Sequence, residues 1–258
     1  MHLGLYIAVL PLAFVGCAHP PAAPKLSIAA AADLRFALDE LSHGFRTSYP
    51  QWDVQIAYGS SGNFYWQIRN QAPFDLFLSA DVEYPRKLAE EGFAAPESLF
   101  LYAAGRIVVW IRAQSPLDLA QLQIHALEAS AVKHVAIANP RHAPYGRAAE
   151  AAMRSLGVYE RVAPKLVLGE NVAQAMEFIQ SGAADAGIIA LSLALAPPVR
   201  GQGRFWEVPL DAYPRMEQGG AILSRSKAKI AAGAFRAFLL GAGGRSVLRK
   251  YGFYLSDR

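Results

Sequence analysis

The chain has 258 residues, which is enough for one large domain or for two domains of ordinary size. Hydrophobic residues make up 53% of the sequence, so a substantial apolar core is expected and a globally disordered chain is excluded. The net charge is +4, but the basic residues are scattered rather than grouped, which argues against a nucleic-acid-binding surface.

The N-terminal segment has the composition of an export signal. Residues 3–16 are almost wholly apolar, but they are too short to span a bilayer and Pro11 interrupts them. Residues 14–17, FVGC, resemble a lipobox, which predicts lipidation of Cys17 and anchoring to a membrane. Two alternatives stay open: cleavage at the small residues 16–18 without lipidation, or a buried N-terminal helix. Either export route predicts a periplasmic protein.

Residues 19–24 have the composition of an extended tether. They include three prolines and no acidic or basic residue other than a histidine. Segment 1–24 is therefore interpreted as a signal segment and tether, and the folded body is expected to begin near Lys25. Cys17 is the only cysteine in the sequence, so no disulfide within the chain is expected.

From Lys25 onward, short apolar runs alternate with amphipathic stretches. The run at 74–80 is continuous and apolar, as buried parallel strands are. Such alternation predicts an α/β fold with mostly parallel sheets. In chain order the predicted strands are 26–31, 54–59, 74–80, 106–111, 135–140, 166–169 and 186–192, and the predicted helices are 33–45, 63–71, 84–91, 146–156, 172–180 and 231–240.

The strand–helix units fall into two groups, which predicts two lobes with a cleft between them. The first group covers 25–103 and the second covers 104–208. The last segment, 209–258, is too small to stand alone, so it is expected to return to the first group. Lobe 1 is therefore predicted to comprise 25–103 plus 209–258, and lobe 2 to comprise 104–208.

Small or polar residues stand at four strand–helix junctions, namely 30–33, 59–62, 139–146 and 169–172. Ligands of open α/β sheets bind beyond the carboxyl ends of strands, where such junctions lie. A helix N-terminus offers unpaired N–H groups and a partial positive charge, so several of them facing one cleft form an anion site. The alternative for the second junction is that one of its two serines merely caps the following helix.

No motif of an enzyme stands out in the sequence. The six histidines form no metal-binding pattern, and neither a dinucleotide-binding glycine motif nor a P-loop is present. Residues 59–62, GSSG, do not form the G-x-S-x-G elbow of a serine hydrolase. His142 lies in a junction loop between Arg141 and Arg147, where the arginines are surface charges or steer anions toward the cleft. The chain is therefore predicted to be a binding protein and not an enzyme.

A longer pattern of motifs resembles a known family. AAAADLRFALDEL, YGSSGNFYWQI, APFDLFLSAD, ANPRHAPYGRAA and GENVAQAMEFIQSGAADAGII are followed by a final KYGF. Together they cover about 25–255 and resemble the periplasmic molybdate-binding proteins of ABC transporters. The resemblance implies a type II periplasmic binding protein fold whose two lobes close on molybdate or tungstate. It further implies that hydroxyls and backbone N–H groups hold the anion, with no cofactor and no protein ligand to the metal.

The resemblance implies roles for particular residues. Ser61 would donate its hydroxyl and its N–H, and Val172 would donate its backbone N–H at a helix start. Tyr145 matches a position that donates its backbone N–H and is a tyrosine in some relatives. The predicted oxyanion-binding residues are Ala32, Asp33, Ser60, Ser61, Tyr145, Asn171 and Val172.

Two positions depart from the family pattern. Many relatives carry Ser, Thr or Asn at the first helix start, where this chain has Ala32 and Asp33. A carboxylate beside a bound dianion is repulsive, so Asp33 either caps its own helix, or is protonated and donates, or marks a different ligand. Some relatives have a ligand tyrosine where this chain has Ala190, and Tyr145 could supply that hydroxyl from the other side.

The resemblance implies an ABC permease as partner and a monomeric protein, because a closing cleft needs free lobes. Two alternatives stay open for the function. The chain could bind another small oxyanion or an organic anion, since related folds take sulfate, phosphate and tungstate. It could instead be a sensory or scavenging lipoprotein that does not dock to a permease.

Overall fold

The computed structural model describes residues 24–255. The predicted signal segment and its tether, including Cys17, lie outside the described residues except for Pro24. The first strand begins at Lys25, where the folded body was expected to start. Within the described part of the chain no helix has the length and apolar character needed to cross a membrane.

Ten strands within residues 24–255 form two five-stranded sheets, one in each lobe. The strands are β1 (Lys25–Ala31), β2 (Asp53–Gly59), β3 (Leu76–Ser79), β4 (Phe100–Gly105), β5 (Ile107–Arg112), β6 (Val135–Ala138), β7 (Leu166–Gly169), β8 (Ala186–Ala190), β9 (Gly203–Glu207) and β10 (Met216–Ile222).

Helices connect the strands and cover the sheets. They are α1 (Arg35–Ser48), α2 (Ser61–Arg69), α3 (Glu83–Glu90), α4 (Leu119–Leu122), α5 (Pro144–Ser155), α6 (Tyr159–Val162), α7 (Val172–Ser181), α8 (Leu191–Ala194), α9 (Lys229–Leu240) and α10 (Ala242–Lys250). Short 3₁₀ turns lie at Ala32–Leu34, Pro96–Ser98, Gln123–Glu128 and Ala163–Lys165.

Both sheets are mixed, with four strands running one way and one strand running the other. The strand order in lobe 1 is β2-β1-β3-β10-β4, and β10 is antiparallel to both of its neighbours. The order in lobe 2 is β7-β6-β8-β5-β9, and there β5 is the reversed strand. The prediction of an α/β fold with two mostly parallel lobes is therefore confirmed.

The chain crosses between the sheets twice. Strand β4 pairs with β10 as far as Gly105, so the first crossing lies at Arg106, two residues after the predicted boundary at 103/104. The second crossing runs from the end of β9 to the start of β10 and contains the predicted boundary at 208/209.

The C-terminal segment returns to lobe 1 through its helices. The predicted apolar face of α1 is buried, and its Phe45 packs edge-on against Phe235 and Phe238 of α9 at ring-centroid distances of 5.0 and 5.6 Å. Aromatic burial of this kind stabilises the contact by roughly 0.5–1.5 kcal/mol beyond the area buried. Tyr254 also forms an antiparallel bridge to Ala104, which ties the last residues to β4.

Three strands, β4, β9 and β10, were not predicted as strands from the sequence. Strands β4 and β9 lie at the edges of their sheets, and β10 is the reversed strand of lobe 1. Most residues of β9 are exposed or half-buried, so the strand lacks the apolar run by which a buried strand is recognised. None of these three strands contributes a residue to the lining of the cleft described next.

Candidate functional site

A small cleft lies between the lobes at the N-termini of four helical segments. The space inside its lining, counted together with the adjoining open solvent, is about 200 Å³. The 3₁₀ turn Ala32–Leu34 and α2 reach it from lobe 1, and α5 and α7 reach it from lobe 2. Its lining contains all seven predicted oxyanion-binding residues and no Lys or Arg among the described residues: Ala31, Ala32, Asp33, Gly59, Ser60, Ser61, Ala80, Ala143, Pro144, Tyr145, Asn171 and Val172.

The two serines at the start of α2 have different roles. Ser60 is the N-cap, and its Oγ accepts from the N–H of Asn63 at 3.4 Å and contacts Nδ1 of His142 at 2.9 Å. The capping interpretation therefore holds for Ser60. Ser61 is the first helical residue and is fully buried, and its Oγ accepts from the N–H of Ala80 at 3.0 Å. The hydroxyl proton of Ser61 has no acceptor among the described residues, so it is available to a ligand.

The start of α7 presents a backbone donor. Asn171 is its N-cap, and the side-chain Oδ1 accepts from the N–H groups of Ala173 and Gln174 at 3.0 and 3.1 Å. The N–H of Val172, the first helical residue, has no acceptor within the helix by the geometry of a helix start. Val172 is buried in the cleft lining, and the side chain of Asn171 fixes the start of the helix beside it.

The start of α5 presents another backbone donor. Pro144 occupies the first helical position, where the lack of an N–H is tolerated. The first N–H of this helix therefore belongs to Tyr145, which is buried in the cleft lining. The hydroxyl of Tyr145 crosses to lobe 1, where it donates to Oδ2 of Asp33 at 2.9 Å.

Asp33 lies buried between the two lobes and does not cap a helix. The turn that contains it has Ala31 at the N-cap position and no side-chain cap, so the capping interpretation of Asp33 is wrong. Its Oδ2 accepts from Tyr145 and from Nε2 of Gln218, the latter at 2.7 Å. Its Oδ1 has no hydrogen-bond partner among the described residues. The carboxyl is thus held on one oxygen by two neutral donors and has no cation beside it.

Burial raises the pKa of Asp33 to about 6, while the hydrogen bonds from Gln218 and Tyr145 oppose that rise. Burial and the charge of Asp33 also raise the pKa of Tyr145 well above its usual value, so this phenol remains a donor. Tyr102 behaves likewise, and its hydroxyl donates to the carbonyl of Ser79 at 2.9 Å. The carboxyl is therefore the group in this cluster that changes charge near neutral pH.

Gln218 was not predicted from the sequence as part of the site. It is fully buried on β10, and its Nε2 also lies 3.2 Å from the hydroxyl of Tyr145. Its Oε1 has no partner among the described residues. A Cβ at Gly105 would lie 2.5 Å from that hydroxyl, so a glycine at this position leaves room for the cluster. The available signal was a polar amide beside two glycines within an otherwise buried strand.

Ala190 lies outside the cleft lining. It ends β8 and is fully buried at the N-cap position of α8. The hydroxyl of Tyr145, which the sequence suggested as a replacement donor from the other side, points to Asp33 instead. Ser192, two residues after Ala190, donates to the backbone carbonyl of Asp33 at 2.7 Å and so braces the same turn.

Polar contacts between the lobes surround the cleft. The N–H of Gly62 donates to the carbonyl of His142 at 2.9 Å. Arg147, predicted to be a surface or steering charge, forms an ion pair with Asp81 at 2.6 Å across the lobes. Glu177 and Arg35 form a more exposed pair at 3.4 Å. The two lobes are therefore in contact around the cleft, which corresponds to a closed arrangement. Residues 24–255 contain no cluster of three or more His, Cys, Asp or Glu that could hold a metal ion.

Two α/β lobes joined by two crossings, with a closed polar cleft between them, define a solute-binding protein of the periplasmic type. Residues 26–254 match the bacterial extracellular solute-binding proteins, and the chain belongs to that family.

The chain is also similar to individual proteins over nearly its whole length. It is 39% identical to the molybdate-binding protein ModA of Rhodobacter capsulatus, over 93% of this chain and 92% of the relative. It is 35% identical to the molybdate-binding protein ModA of Azotobacter vinelandii, over 98% of each chain. The solved structure of the Azotobacter vinelandii periplasmic molybdate-binding protein superposes with a TM-score of 0.84 at 32% identity, covering 90% of this chain and all of that one. The predicted resemblance and the type II fold are confirmed.

Proposed function

We propose that this chain captures molybdate or tungstate outside the cytoplasm and delivers it to an ABC permease. One observation carries the proposal: four helical N-termini meet in one closed cleft whose lining has no basic side chain. Such a cleft suits a small oxyanion, because backbone N–H groups and helix dipoles stabilise negative charge without a counter-ion. The relatives at 35–39% identity are molybdate-binding proteins, which selects this anion among small oxyanions.

Within this proposal the anion is held by neutral donors. Ser61 donates a hydrogen bond to the anion from its hydroxyl. Tyr145 and Val172 donate hydrogen bonds from their backbone N–H groups in the opposite lobe. Ala32 and Asp33 contribute the backbone of the first turn, while Ser60 and Asn171 fix their helices as caps. Because the donors come from both lobes, binding of the anion is coupled to closure of the cleft. The two lobes therefore move relative to each other as rigid units about a hinge. The protein binds its ligand without covalent chemistry.

The lipid anchor and the route to the periplasm are part of the same proposal. Cleavage before Cys17 and its lipidation would tether the folded body to the membrane beside a permease. The protein would work as a monomer, since each lobe needs freedom to move. Membrane extraction of the protein before and after replacement of Cys17 by serine tests the anchor.

A second candidate, a binding protein for a different small anion, is raised by the carboxyl of Asp33 in the cleft lining, but the molybdate-binding relatives do not favour it. The deciding experiment is calorimetric titration of the purified protein with molybdate, tungstate, sulfate and phosphate at one pH and ionic strength. We expect one-to-one binding of molybdate and tungstate, with sulfate and phosphate silent. Binding of sulfate or phosphate alone would establish the second candidate and overturn the first.

A further inference from the structure

The buried cluster of Asp33, Tyr145 and Gln218 contains more acceptors than donors. Two donors, the hydroxyl of Tyr145 and Nε2 of Gln218, meet a single carboxylate oxygen. Oδ1 of Asp33 and Oε1 of Gln218 are both buried without a partner among the described residues. Unpaired buried acceptors are unfavourable, and one additional hydrogen in this cluster would relieve the shortage.

A bound oxyanion would place further negative charge beside this carboxyl. Asp33 lines the same small cleft as Ser61 and Val172, so an anion held there lies close to this residue. Two like charges a few ångströms apart in a buried site favour protonation of the weaker acid. Because the cleft lining has no Lys or Arg among the described residues, no cation offsets the repulsion.

From these contacts we propose that Asp33 takes up one proton from solvent when the oxyanion enters the cleft. The chain would then bind an anion and a proton together, and Asp33 would be a second binding site, for the proton. The inference rests on the proposed function, since it requires an oxyanion in this cleft. Gln218 suits either state of Asp33, because a half-turn of its amide exchanges the N–H donor facing Oδ2 for a carbonyl acceptor.

The surroundings of Asp33 leave the carboxyl as the group that titrates. The turn Ala32–Leu34 packs against α1, α7 and α8. The titratable groups facing the carboxyl are the phenols Tyr145 on α5 and Tyr102 on β4, and burial keeps both protonated. The charged residues Arg35 of α1 and Glu177 of α7 form an ion pair with each other. From α8, the neutral side chain of Ser192 donates a hydrogen bond to the backbone carbonyl of Asp33.

The sign of the coupling follows from the free state. With the lobes closed and no anion bound, burial places the pKa of the carboxyl at about 6, so at pH 7 it is mostly ionised. If the complex holds it protonated, binding at pH 7 takes up about 0.9 proton per anion. Affinity then rises as pH falls from 8 toward 6, by up to about tenfold per pH unit, and levels off below pH 6.

The test is calorimetric titration with sodium molybdate and sodium tungstate in two buffers of different ionisation enthalpy, from pH 6 to pH 8. The difference in heat between buffers gives the number of protons taken up. We expect close to one proton at pH 7 in the wild-type protein. In Asp33→Asn we expect almost none, together with an affinity that changes little with pH and exceeds that of the wild type at pH 8.

Two controls separate Asp33 from other groups. Asp39→Asn removes an exposed carboxylate from α1 and should leave proton uptake at the wild-type value. His142→Gln removes the imidazole that contacts Ser60 and should also leave it unchanged. Uptake that persists in Asp33→Asn, or disappears only in His142→Gln, would overturn the inference.

Anion binding and proton uptake are measured separately in these titrations, so each can fail without the other being misread. Tight molybdate binding with no proton uptake at any pH would overturn the inference and leave the proposed function standing. Absence of binding by molybdate and tungstate at every pH would overturn both.

Discussion

The backbone N–H of Gly62 in lobe 1 donates to the backbone carbonyl of His142 in lobe 2 at 2.9 Å. This bond joins the second residue of α2 to the loop before α5, directly beside the cleft. A Cβ on residue 62 would lie 2.5 Å from that carbonyl oxygen and 2.9 Å from the hydroxyl of Tyr84. Closure of the lobes therefore depends on a glycine at this position.

Gly62→Ala should weaken ligand binding by opposing closure. Overpacking at a closed contact costs about 1–3 kcal/mol, and this penalty falls on the closed form because the carbonyl belongs to the other lobe. We expect lower molybdate affinity and a larger radius of gyration by small-angle X-ray scattering in the presence of ligand. Gly233→Ala is the matched control, since a Cβ there meets nothing within 4 Å. Equal affinity in the two variants would show that Gly62 does not limit closure.

Ser61→Ala should reduce oxyanion affinity by about 10–150-fold, since a charge-assisted hydrogen bond contributes about 1.5–3 kcal/mol. The same change leaves the N–H of Ala80 without its acceptor, so thermal unfolding of the free protein has to be measured alongside calorimetry. Ser42→Ala is the control, because Ser42 is a buried serine of α1 whose hydroxyl bonds within its own helix. Unchanged affinity in Ser61→Ala would show that this hydroxyl does not bind the anion.

Val172→Pro should remove one backbone donor while keeping helix α7. Proline is favoured at a first helical position, and Asn171 before it has an extended backbone with φ −150° and ψ 177° that a following proline accepts. We expect at least tenfold weaker molybdate binding with unchanged helix content by circular dichroism. Val172→Ala keeps the N–H and should bind nearly as the wild type does. Similar losses in both variants would assign the effect to packing of the side chain rather than to the N–H.

Tyr145→Phe should destabilise the ligand-free protein more at pH 8 than at pH 5. At pH 8 the lost hydroxyl leaves an ionised buried carboxylate with one donor fewer, which costs about 1.5–3 kcal/mol. At pH 5 Asp33 is mostly protonated and the lost bond is between neutral groups, with a smaller effect of about 0.5–1.5 kcal/mol. Chemical denaturation measures the difference. Tyr102→Phe removes a hydroxyl that bonds to Ser79 instead, and its effect should not change with pH.

The ligand-free protein should gain stability from Asp33 as the pH falls. The pKa of Asp33 is about 6 in the folded protein against 3.8 for an ordinary aspartate, so the folded form holds the proton more tightly. This contribution is fully present below pH 3.8 and is lost as pH rises through 6, amounting to about 3 kcal/mol over that window. The paired Glu40 and Glu128, whose pKa values are lowered by their partners, act in the opposite direction.

The measurement is therefore the difference in unfolding free energy between wild type and Asp33→Asn, taken from pH 5 to pH 8. We expect the unfolding free energy of the variant to increase relative to that of the wild type as pH rises toward 7. Above pH 7 this difference should stay constant. A difference that does not vary with pH would mean that Asp33 titrates in the folded protein as it does in the unfolded chain.

The sequence by itself determined the α/β class, the order of most elements and the four polar junctions. These features are local: a run of apolar residues, a serine before a helix or a proline at a first helical position has its effect through near neighbours. The alternation of strands and helices also places the junctions at strand ends, where clefts form. The junction pattern and the resemblance to a known family together named the residues of the predicted site, and all of them line one cleft.

Only the tertiary structure decided what the polar groups at those junctions do. Asp33 meets Tyr145 and Gln218 across 112 and 185 residues of sequence, and no local pattern indicated either pairing. Ser61 accepts from Ala80, which fixes the direction left for its hydroxyl proton. Contacts between residues so far apart depend on how the sheets pack and how the lobes close, and the energies of buried polar groups depend on those partners.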